Sequence, residues 1–495
     1  MHKKLLGIIF VIICRSSLVT RCLLLVDGYY SFAMIQNFYT AAIKDAFTHV
    51  PTPQQEEAIG KLGTFLGSST ERATFLLKGY AGTGKTTLVA ALVQTCIDLD
   101  IPFVLMAPTG RAAKVLSMYA GFDAATIHRT IYRQSSPDPG AKFELGFNKM
   151  RNALFVVDEA SMLSSDGDKQ FGSGRVMDDM LKYVFGGAPG CKLLLLGDDA
   201  QLPPVMQNES LALSANWLMG CGLSVTEHTL TTVVRQEAQS GILQNATEIR
   251  KQLLTPHLLR LTTHADVCRV DGSNFVSTLE DSYRTVGMDD TLIITRSNKK
   301  AFMYANGIRG RILYREEQLE NADWLMVVKN NYFYGLDYGI ELIANGDMAE
   351  VVRLHGSHSL YGMQFVRATL RLVDYGTEID VLLLQDSLLC ESPQQLQELQ
   401  KRLFEAVEED YASIRSKRDR YKKMRQDEHL NALLVRMAYA VTCHKAQGGQ
   451  WKHVYVDMGP LSKDQIDTNF MRWLYTAVTR ATEKLYLIQF KDDFF

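Results

Sequence analysis

A glycine-rich run, GYAGTGKT at residues 79–86, has residue types at the spacing needed to hold a chain of phosphates. It fits the pattern GxxxxGK followed by Ser or Thr, and it stands between a predicted strand and a predicted helix. Glycines let backbone N–H groups wrap the phosphates, Lys85 would reach the β and γ oxygens, and the Thr86 hydroxyl would bind Mg²⁺. The sequence therefore predicts an ATP site that uses Mg²⁺. Its expected contacts are Gly79, Ala81, Gly82, Thr83, Gly84, Lys85, Thr86 and Thr87.

Two carboxylates, Asp158 and Glu159, follow an apolar strand predicted at residues 153–157. Acids at such a strand end place one group on the metal and the second beside the attacking water, so we expect Asp158 to bind the metal and Glu159 to be the general base. Gln201 follows another predicted strand and could sense the γ-phosphate or its water, because an amide both donates and accepts. Alone, the acids could be a surface pair and Gln201 a structural residue, but the phosphate loop favours catalysis.

Two arginines, Arg235 and Arg480, lie far along the chain from the phosphate loop. The transition state of phosphoryl transfer is often stabilised by an arginine from a second lobe, which makes both of them candidates for that role. Taken alone, an arginine in such a position more often forms a surface salt bridge.

The secondary structure that must position these residues is predicted to be parallel sheets covered by helices, because short apolar runs alternate with amphipathic stretches. Strands are predicted at residues 74–78, 103–107, 153–157 and 192–196, and in a second set, which begins near Leu223, at 291–295, 453–456 and 484–489. The motifs above fall at the carboxyl ends of such strands, where ligands of open α/β sheets bind.

Two segments depart from this pattern. Residues 324–384 alternate in short runs with Gly and Asn turns, which predicts a small β-barrel, and the charge-rich residues 392–429 predict a helical hairpin that braces it. Residues 132–148 form a short excursion whose centre, SPDPG at 136–140, is typical of a hairpin tip.

Composition excludes some classes of protein. With 495 residues the chain is long enough for about three or four domains. Its 53 basic and 55 acidic residues leave a net charge of −2, so a nucleic-acid surface would have to be a local groove. The eight cysteines show no CxxC pair or zinc spacing, which favours reduced thiols in the cytoplasm.

The amino terminus resembles a signal sequence only in part. Lys3 and Lys4 precede an apolar run at residues 5–14, which is too short to span a bilayer and is followed by Arg15 and Arg21. We interpret residues 1–33 as an extension upstream of a start at Met34; an export signal or a packed element are the alternatives. The need for ATP also favours the cytoplasm.

The order of the motifs resembles that of superfamily 1 helicases, and within them of the RecD/Dda branch. The resemblance covers residues 51–490. The matching runs are the phosphate loop, APTGRAA at 107–113, TIH at 126–128, DEAS at 158–161, GDDAQ at 197–201, VRQ at 234–236, TCHKAQG at 442–448 and YTAVTRA at 475–481.

This resemblance implies two RecA-like lobes. It assigns residues 34–131 and 149–222 to the first lobe, 132–148 to a pin hairpin that splits the duplex, 223–321 and 433–495 to the second lobe, and 322–432 to an SH3-like barrel with a helical arm. It implies that Gln55 holds the adenine edge and that Arg235 and Arg480 act on the γ-phosphate. The DNA contacts that it implies are Pro108, Thr109, Arg111, Thr126, His128, Thr442 and His444.

Within the excursion, Phe143 is the aromatic residue expected to stack on DNA, with Phe147 as its rival and a buried anchor as the alternative role. Superfamily 1 members that run 3′→5′ resemble Rep and place a large helical insertion between the motifs at 107–113 and 158–161. This interval holds only the short excursion, which favours 5′→3′ movement.

We therefore expect an ATP-dependent DNA helicase that acts as a monomer on single-stranded DNA and on junctions with duplex, without a membrane partner. Single-strand-binding protein is a further candidate partner. An RNA-directed motor and an ATP-gated switch or loader are the alternatives.

Overall fold

The structure, a computed structural model, describes the backbone of residues 28–495 apart from 135–142, 165–170, 205–206, 208, 235–239, 257–258, 341 and 462–464, with side chains from residue 34 onward except that of Gln134. The extension predicted at residues 1–33 thus lies outside the described residues, except for the backbone of 28–33, which begins a helix. Within the described part, no helix is long and apolar enough to cross a membrane.

The secondary structure alternates strands with helices through most of the chain. The α-helices of the described residues are α1 (Gly28–Ala46), α2 (Pro53–Gly67), α3 (Lys85–Asp98), α4 (Gly110–Ala120), α5 (Ile127–Ile131), α6 (Val176–Gly186), α7 (Ala215–Gly220), α8 (Gly241–Lys251), α9 (Phe275–Val286), α10 (Asn298–Arg311), α11 (Pro393–Asp410), α12 (Lys417–Met424), α13 (Cys443–Ala446) and α14 (Thr468–Val478). The strands are β1 (Ala73–Gly79), β2 (Phe103–Ala107), β3 (Ala124–Thr126), β4 (Tyr132–Gln134), β5 (Phe143–Leu145), β6 (Leu154–Val157), β7 (Lys192–Gly197), β8 (Ser224–Leu230), β9 (Val267–Val270), β10 (Thr291–Thr295), β11 (Trp324–Val327), β12 (Met348–Leu360), β13 (Met363–Leu372), β14 (Thr377–Leu384), β15 (Val435–Met437), β16 (Ala440–Thr442), β17 (Trp451–Asp457) and β18 (Ala481–Ile488).

The first sheet has the strand order β3-β2-β6-β7-β1-β8, and every neighbouring pair is parallel. Its central strand β6 is apolar and buried along its whole length, as expected where helices cover both faces of a sheet. The carboxyl ends of β1, β6 and β7 lie at one edge, so the segments that carry Lys85, Asp158 and Gln201 start side by side.

Strand β8 corrects the predicted boundary between the lobes. Residues 223–321 were expected in the second lobe, yet Ser224–Leu230 pairs in parallel with Ala73–Gly79 in the first sheet. The strand lies at the edge of that sheet and is half exposed, so its own apolar pattern does not indicate which sheet it joins. The first lobe therefore continues through residue 230.

The second sheet has the order β16-β10-β17-β18-β9, also with parallel pairs throughout. Alternate side chains of β10 face opposite layers: Leu292 and Ile294 pack in the layer of α8 and α14, and Ile293 in the layer of α9 and α10. The predicted α/β architecture with two parallel sheets is confirmed.

A third, antiparallel sheet with the order β14-β13-β12-β11-β15 follows the second lobe's α10. Its strand β15 corrects a second boundary, because residues 435–437 were expected in the second lobe but pair with β11. Leu433, just before β15, exchanges backbone hydrogen bonds with β14 at 2.8 and 3.0 Å, which joins the two edges of the sheet. Helices α11 and α12 follow β14, and α11 packs its apolar side on this sheet.

The chain passes between the second and third sheets at a buried carboxylate, Asp323. Arg309 binds it through Nε and Nη2 at 3.0 and 2.9 Å, Arg315 binds it through Nη1, and the Tyr439 hydroxyl donates to it at 2.8 Å. Arg309 belongs to α10, where the chain leaves the second lobe, and Tyr439 lies between β15 and β16, where it returns. The two points at which the chain passes between the second lobe and the third sheet are thus both bound to the Asp323 side chain.

Candidate active site

The phosphate loop leaves β1 at Gly79 and enters α3 at Lys85. Gly82 and Gly84 have φ angles of 72° and 80°, a left-handed conformation that glycine adopts without strain. The Lys85 ammonium donates to the carbonyl oxygens of Gly79 and, at 3.0 Å, of Tyr80. The cation is therefore held over the loop, where it can meet phosphate oxygens.

The remaining loop residues predicted to bind ATP differ in exposure. Thr83 is buried, and its hydroxyl donates to the Tyr80 carbonyl at 2.8 Å, so it braces the loop. Ala81 and Thr87 are half-buried, and Thr86 is exposed at the first turn of α3 with its hydroxyl available to a cation.

Gln55 holds the phosphate loop instead of presenting a free amide. Its Nε2 donates to the Thr83 carbonyl at 3.0 Å, and its Oε1 accepts the backbone N–H of Thr52 at 2.9 Å as part of a capping box at the start of α2. A Cβ on Gly84 would collide with this amide. Nε2 keeps a second N–H and Oε1 a second lone pair beyond these bonds, so the expected contact of Gln55 to adenine stays a prediction.

The two acids at the end of β6 are held differently. Asp158 accepts the backbone N–H of Glu159 at 2.8 Å and the hydroxyl of Tyr119. Glu159 has a φ of 50°, an uncommon left-handed conformation for a residue with a side chain, which turns it out of the strand direction. Burial raises the pKa of Glu159, whereas the charge of Arg480 lowers it. A carboxylate with a raised pKa is a better proton acceptor from water.

Asp198 begins the loop that carries Gln201. Asp198 is buried, accepts the Ala200 N–H at 3.0 Å, and accepts the hydroxyl of Tyr475 at 2.6 Å. Burial raises its pKa, which the charge of Lys85 and the Tyr475 hydrogen bond oppose. The buried Oε1 of Gln201 has no hydrogen-bond partner among the described residues, which suits an amide that is to bind a nucleotide or its water.

Arg480 brings positive charge from the second lobe to this site. Its guanidinium is buried and donates to Thr476 O at 3.1 Å, Gly449 O at 3.1 Å and Thr479 Oγ1 at 3.3 Å. Its Nη1 lies 3.9 Å from Glu159 Oε1 across the boundary between the lobes. The structure therefore brings Lys85, Glu159 and Arg480 into one site.

Arg235 lies outside the described residues. Its neighbour Val234 donates its N–H to the Gly82 carbonyl at 2.8 Å, so this segment reaches the phosphate loop. Gln54 fixes the chain just before it, with Oε1 accepting the N–H groups of Thr231 and Thr232 at 2.8 and 2.9 Å.

Sequence reasoning missed several contacts that the second lobe makes with the first. The Tyr475 hydroxyl accepts the N–H of Ala81 at 2.9 Å in addition to its bond to Asp198. The Arg250 guanidinium stacks 3.7 Å from the Tyr80 ring centroid, and the second lobe's Gln447 and Thr476 bind backbone atoms of Leu202. A signal existed only for Tyr475, Thr476 and Gln447, which belong to the motifs at 475–481 and 442–448.

The residues expected to contact DNA from the first lobe lie at helix starts. The hydroxyl of Thr109 caps α4 and that of Thr126 caps α5, each through a backbone N–H at 3.2 Å, and Pro108 is half-buried beside Thr109. Arg111 points elsewhere: it donates to Gln450 O at 3.0 Å and stacks 4.0 Å from the Trp451 ring centroid. Arg111 is therefore part of the contact between the lobes, and its role as a DNA contact stays a prediction.

Phe143 is buried, which corrects the expectation of an exposed stacking residue. Its ring lies 5.0 Å from that of Phe171 and 4.8 Å from that of Tyr332, which belongs to the segment between β11 and β12. The alternative role, a buried anchor of the β4–β5 hairpin, agrees with this packing. Phe147 is 71% exposed, and the hairpin tip at 135–142 lies outside the described residues.

Two groups of the expected DNA contacts occupy different cavities. Thr126 and His128 line one of about 300 Å³, together with Phe143 and with Asp374 and Tyr375 of the third-sheet region. Thr442, at the start of α13, lines a second and smaller cavity between the second lobe and the third sheet. His444 follows on α13, and burial lowers its pKa, which favours the neutral imidazole.

Comparisons with known proteins match two parts of the chain to family models. Residues 52–271 match the family model described as an AAA domain, and residues 437–488 match that of the UvrD-like helicase C-terminal domain. An uncharacterized protein of Acanthamoeba polyphaga mimivirus is 22% identical over 507 residues, covering 87% of this chain and 98% of that protein.

Two similar proteins are named helicases. The ATP-dependent RecD2 DNA helicase of Deinococcus radiodurans is 32% identical over 177 residues, which is 34% of this chain and 21% of that enzyme. The ATP-dependent DNA helicase Dda of bacteriophage T4 is 28% identical over 180 residues, 35% of this chain and 37% of that enzyme. These matches therefore span well under half the length of either helicase.

A phosphate loop closed by an arginine from a second parallel-sheet lobe defines a P-loop NTPase with two RecA-like lobes. Within that class, the two family models and the two helicases support the resemblance to superfamily 1 helicases of the RecD/Dda-like group that the motifs predicted.

Proposed function

We propose that this chain hydrolyses ATP in the cleft between its lobes, moves 5′→3′ along single-stranded DNA and unwinds duplex. The observation that carries the proposal is Arg480 of the second lobe, 3.9 Å from Glu159 of the first. A base and a cation placed together from two lobes serve hydrolysis, because both act on the transition state and neither is needed for binding alone.

The chemistry divides among the residues of the site. Lys85 neutralises the β and γ oxygens, Glu159 accepts a proton from the attacking water, and the free oxygen of Gln201 orients that water. Arg480 stabilises the charge that develops on the transferred phosphoryl group, and Arg235 is proposed to assist it.

Mg²⁺ fits the oxygen donors of this site. The Thr86 hydroxyl and the Asp158 carboxylate are hard ligands of the kind that Mg²⁺ prefers. No cluster of three or more His, Cys, Asp or Glu side chains able to hold a metal occurs among the described residues, so the nucleotide and water would complete the coordination. The bound cation would neutralise charge on the β- and γ-phosphates.

Movement along DNA would follow from changes in the gap between the lobes. Thr109 and Thr126 belong to the first lobe, whereas Thr442 and His444 belong to the second. If both pairs hold one strand, closing the lobes on ATP shortens the distance between them and reopening lengthens it, which advances the protein along the strand.

The proposed 5′→3′ direction of movement rests on the segment of the chain between Thr109 and Asp158. The described part of that interval holds α4, β3, α5 and the β4–β5 hairpin, without the helical domain of Rep-like members. The hairpin is proposed as the pin, and the third sheet, whose edges meet at Leu433, as the SH3-like barrel. The names of the RecD2 and Dda relatives support DNA over RNA as the track.

The test measures ATP turnover with single-stranded DNA or RNA, and then unwinding of duplexes with a 5′ or a 3′ tail. We expect DNA to stimulate turnover and only the 5′-tailed duplex to open. Equal stimulation by RNA would favour an RNA-directed motor. Nucleotide binding without stimulated turnover would favour a switch or loader, and opening of the 3′-tailed duplex alone would overturn the direction.

A further inference from the structure

Tyr475 joins the second lobe to two parts of the ATP site at once. It lies on α14 with 1% of its surface exposed. Its hydroxyl accepts the N–H of Ala81, in the phosphate loop, at 2.9 Å and donates to Asp198 Oδ2, at the start of the Gln201 loop, at 2.6 Å. One phenol oxygen thus connects the loop that binds phosphate with the loop that senses it.

The same helix makes the neighbouring contacts between the lobes. Thr476, the next residue, accepts the N–H of Leu202 through Oγ1 at 2.8 Å. Its carbonyl accepts from Arg480 Nε at 3.1 Å, and Arg480 reaches Glu159. A displacement of the Tyr475 hydroxyl would therefore also affect the positions of the residues around Gln201 and of Arg480.

The N–H of Ala81 can serve one strong acceptor at a time. Backbone N–H groups of this loop type are the donors that hold nucleotide phosphates. A phosphate oxygen and the Tyr475 phenol are therefore competitors for this donor, whereas the bond from the phenol to the Asp198 carboxylate involves no N–H that a phosphate oxygen would take.

We propose that Tyr475 is a positioning residue that ATP displaces from Ala81 while its bond to Asp198 remains. The displacement releases α14 from the phosphate loop, so that α14 can turn about the remaining bond to Asp198, and that bond holds the Gln201 loop in place for hydrolysis. This inference rests on the proposed function for its role in movement, but the competition for Ala81 stands on the phosphate loop alone.

Tyr475→Phe separates the two roles. The hydrogen bond to Ala81 is lost only from the protein without nucleotide, so the variant should bind ATP about three- to tenfold more tightly, the equivalent of one neutral hydrogen bond. The bond to Asp198 is lost in both states, which leaves that carboxylate unpaired and the Gln201 loop less well held. We therefore expect kcat to fall by about tenfold or more.

The control is Tyr304→Phe, which removes another tyrosine hydroxyl of the second lobe that donates to a buried carboxylate, Asp457, at 2.9 Å. It should leave nucleotide affinity and kcat close to those of the wild type. A tyrosine with only a structural role would weaken binding or leave it unchanged on removal of its hydroxyl, so tighter binding with slower turnover is the distinguishing result.

The experiment measures Kd for a fluorescent, slowly hydrolysed ATP analogue without DNA, and kcat and KM for ATP with single-stranded DNA, on the full chain. Unchanged or weaker binding by Tyr475→Phe overturns the inference, as does an equal tightening in Tyr304→Phe. If the wild type binds the analogue but shows no DNA-stimulated turnover, the proposed function fails, and the comparison of Kd values still decides whether Tyr475 competes with phosphate.

Discussion

Lys85 and Glu159 have different roles in ATP hydrolysis. Lys85 contacts the phosphate loop itself, whereas Glu159 follows β6 and faces Arg480 from the other lobe. Lys85 should therefore govern both ATP binding and turnover, and Glu159 turnover alone.

Lys85→Ala should abolish ATP hydrolysis, because the ammonium is the cation that the loop itself holds against the β and γ oxygens. Phosphate release measured with saturating single-stranded DNA checks this. Turnover equal to that of the wild type would remove the basis for the whole ATP site.

Glu159→Gln keeps the shape of the side chain but removes the base. We expect turnover to fall by about 10²-fold or more while ATP still binds. Equilibrium binding of a labelled nucleotide, measured beside the ATPase rate, separates the two effects. A loss of affinity as large as the loss of rate would show that Glu159 holds the site together instead of accepting a proton.

Asp347, in the turn before β12, makes stability depend on pH. Burial raises the pKa of this carboxyl from its usual 3.8 to about 7, and the nearby Asp374 adds to the rise. Because the folded pKa is above the unfolded one, the protein loses stability as pH rises from about 4 through 7. Asp347→Asn keeps an acceptor for the Ala344 N–H without the charge.

We therefore expect Asp347→Asn to raise the melting temperature at pH 8 by about 2–4 °C or more, and to have little effect at pH 5. Thermal unfolding of both proteins across this range checks the sign. A variant less stable than the wild type at pH 8 would show that the carboxylate is stabilised in the fold.

Among the elements, the β4–β5 hairpin shows what sequence can predict and what it cannot. Its two strands follow from turn residues that are local in the chain. The burial of Phe143 depends on Phe171 and Tyr332, which come from distant segments, so no local pattern reveals it. Strand β8 was assigned to the wrong lobe for the same reason, because sheet order is a long-range property.

The phenylalanine pair of the hairpin gives a matched test. Phe143→Ala empties a packed aromatic cluster and should destabilise the fold by about 3–5 kcal/mol. Phe147→Ala alters a largely exposed ring and should leave stability nearly unchanged. Chemical denaturation measures both, and the reverse order of stabilities would contradict the packing described.

Replacing the tip at residues 135–142 with a short Gly/Ser turn tests the pin itself. We expect ATPase stimulation by single strands to remain within about twofold while unwinding of a 5′-tailed duplex falls by about tenfold or more, because stacking at a strand-separating tip offsets roughly 1–3 kcal/mol per base. Equal loss of both activities would assign the hairpin to the fold or to the DNA track.

For the whole molecule, the ATP residues that are close in sequence and Arg480 of the second lobe were predictable, whereas most other contacts between the lobes were not. The spacing of the phosphate loop indicates Lys85 and Thr86 directly. By contrast, Arg250 meets Tyr80 and Arg111 meets Trp451 only after both lobes have folded and docked. Gln55 was assigned from family resemblance, and its capping box shows a use within the protein that the motif does not reveal.

The amino-terminal helix gives a prediction about which part of the chain the first lobe needs. Ile43 and Phe47 are buried against the first lobe, and Gly63 of α2 contacts Thr40 closely. A variant that begins at Met34 keeps these contacts and should stay folded, with DNA-stimulated ATPase unchanged within about twofold. One that begins after residue 47 exposes the core beneath and should aggregate. Size-exclusion chromatography and ATPase rates compare the two, and unfolding of the Met34 variant would show that the upstream segment packs.

The carboxylate of Asp323 has a mechanical consequence. Both chain crossings between the second lobe and the third sheet are tied to it through Arg309 and Tyr439, and breaking such a buried charged cluster costs about 3–5 kcal/mol. A force on the third sheet is therefore transmitted to the second lobe through the hydrogen bonds to Asp323. When a duplex resists opening, the load on the third sheet should therefore reach the second lobe, and through it the nucleotide cleft, before it breaks the cluster at Asp323.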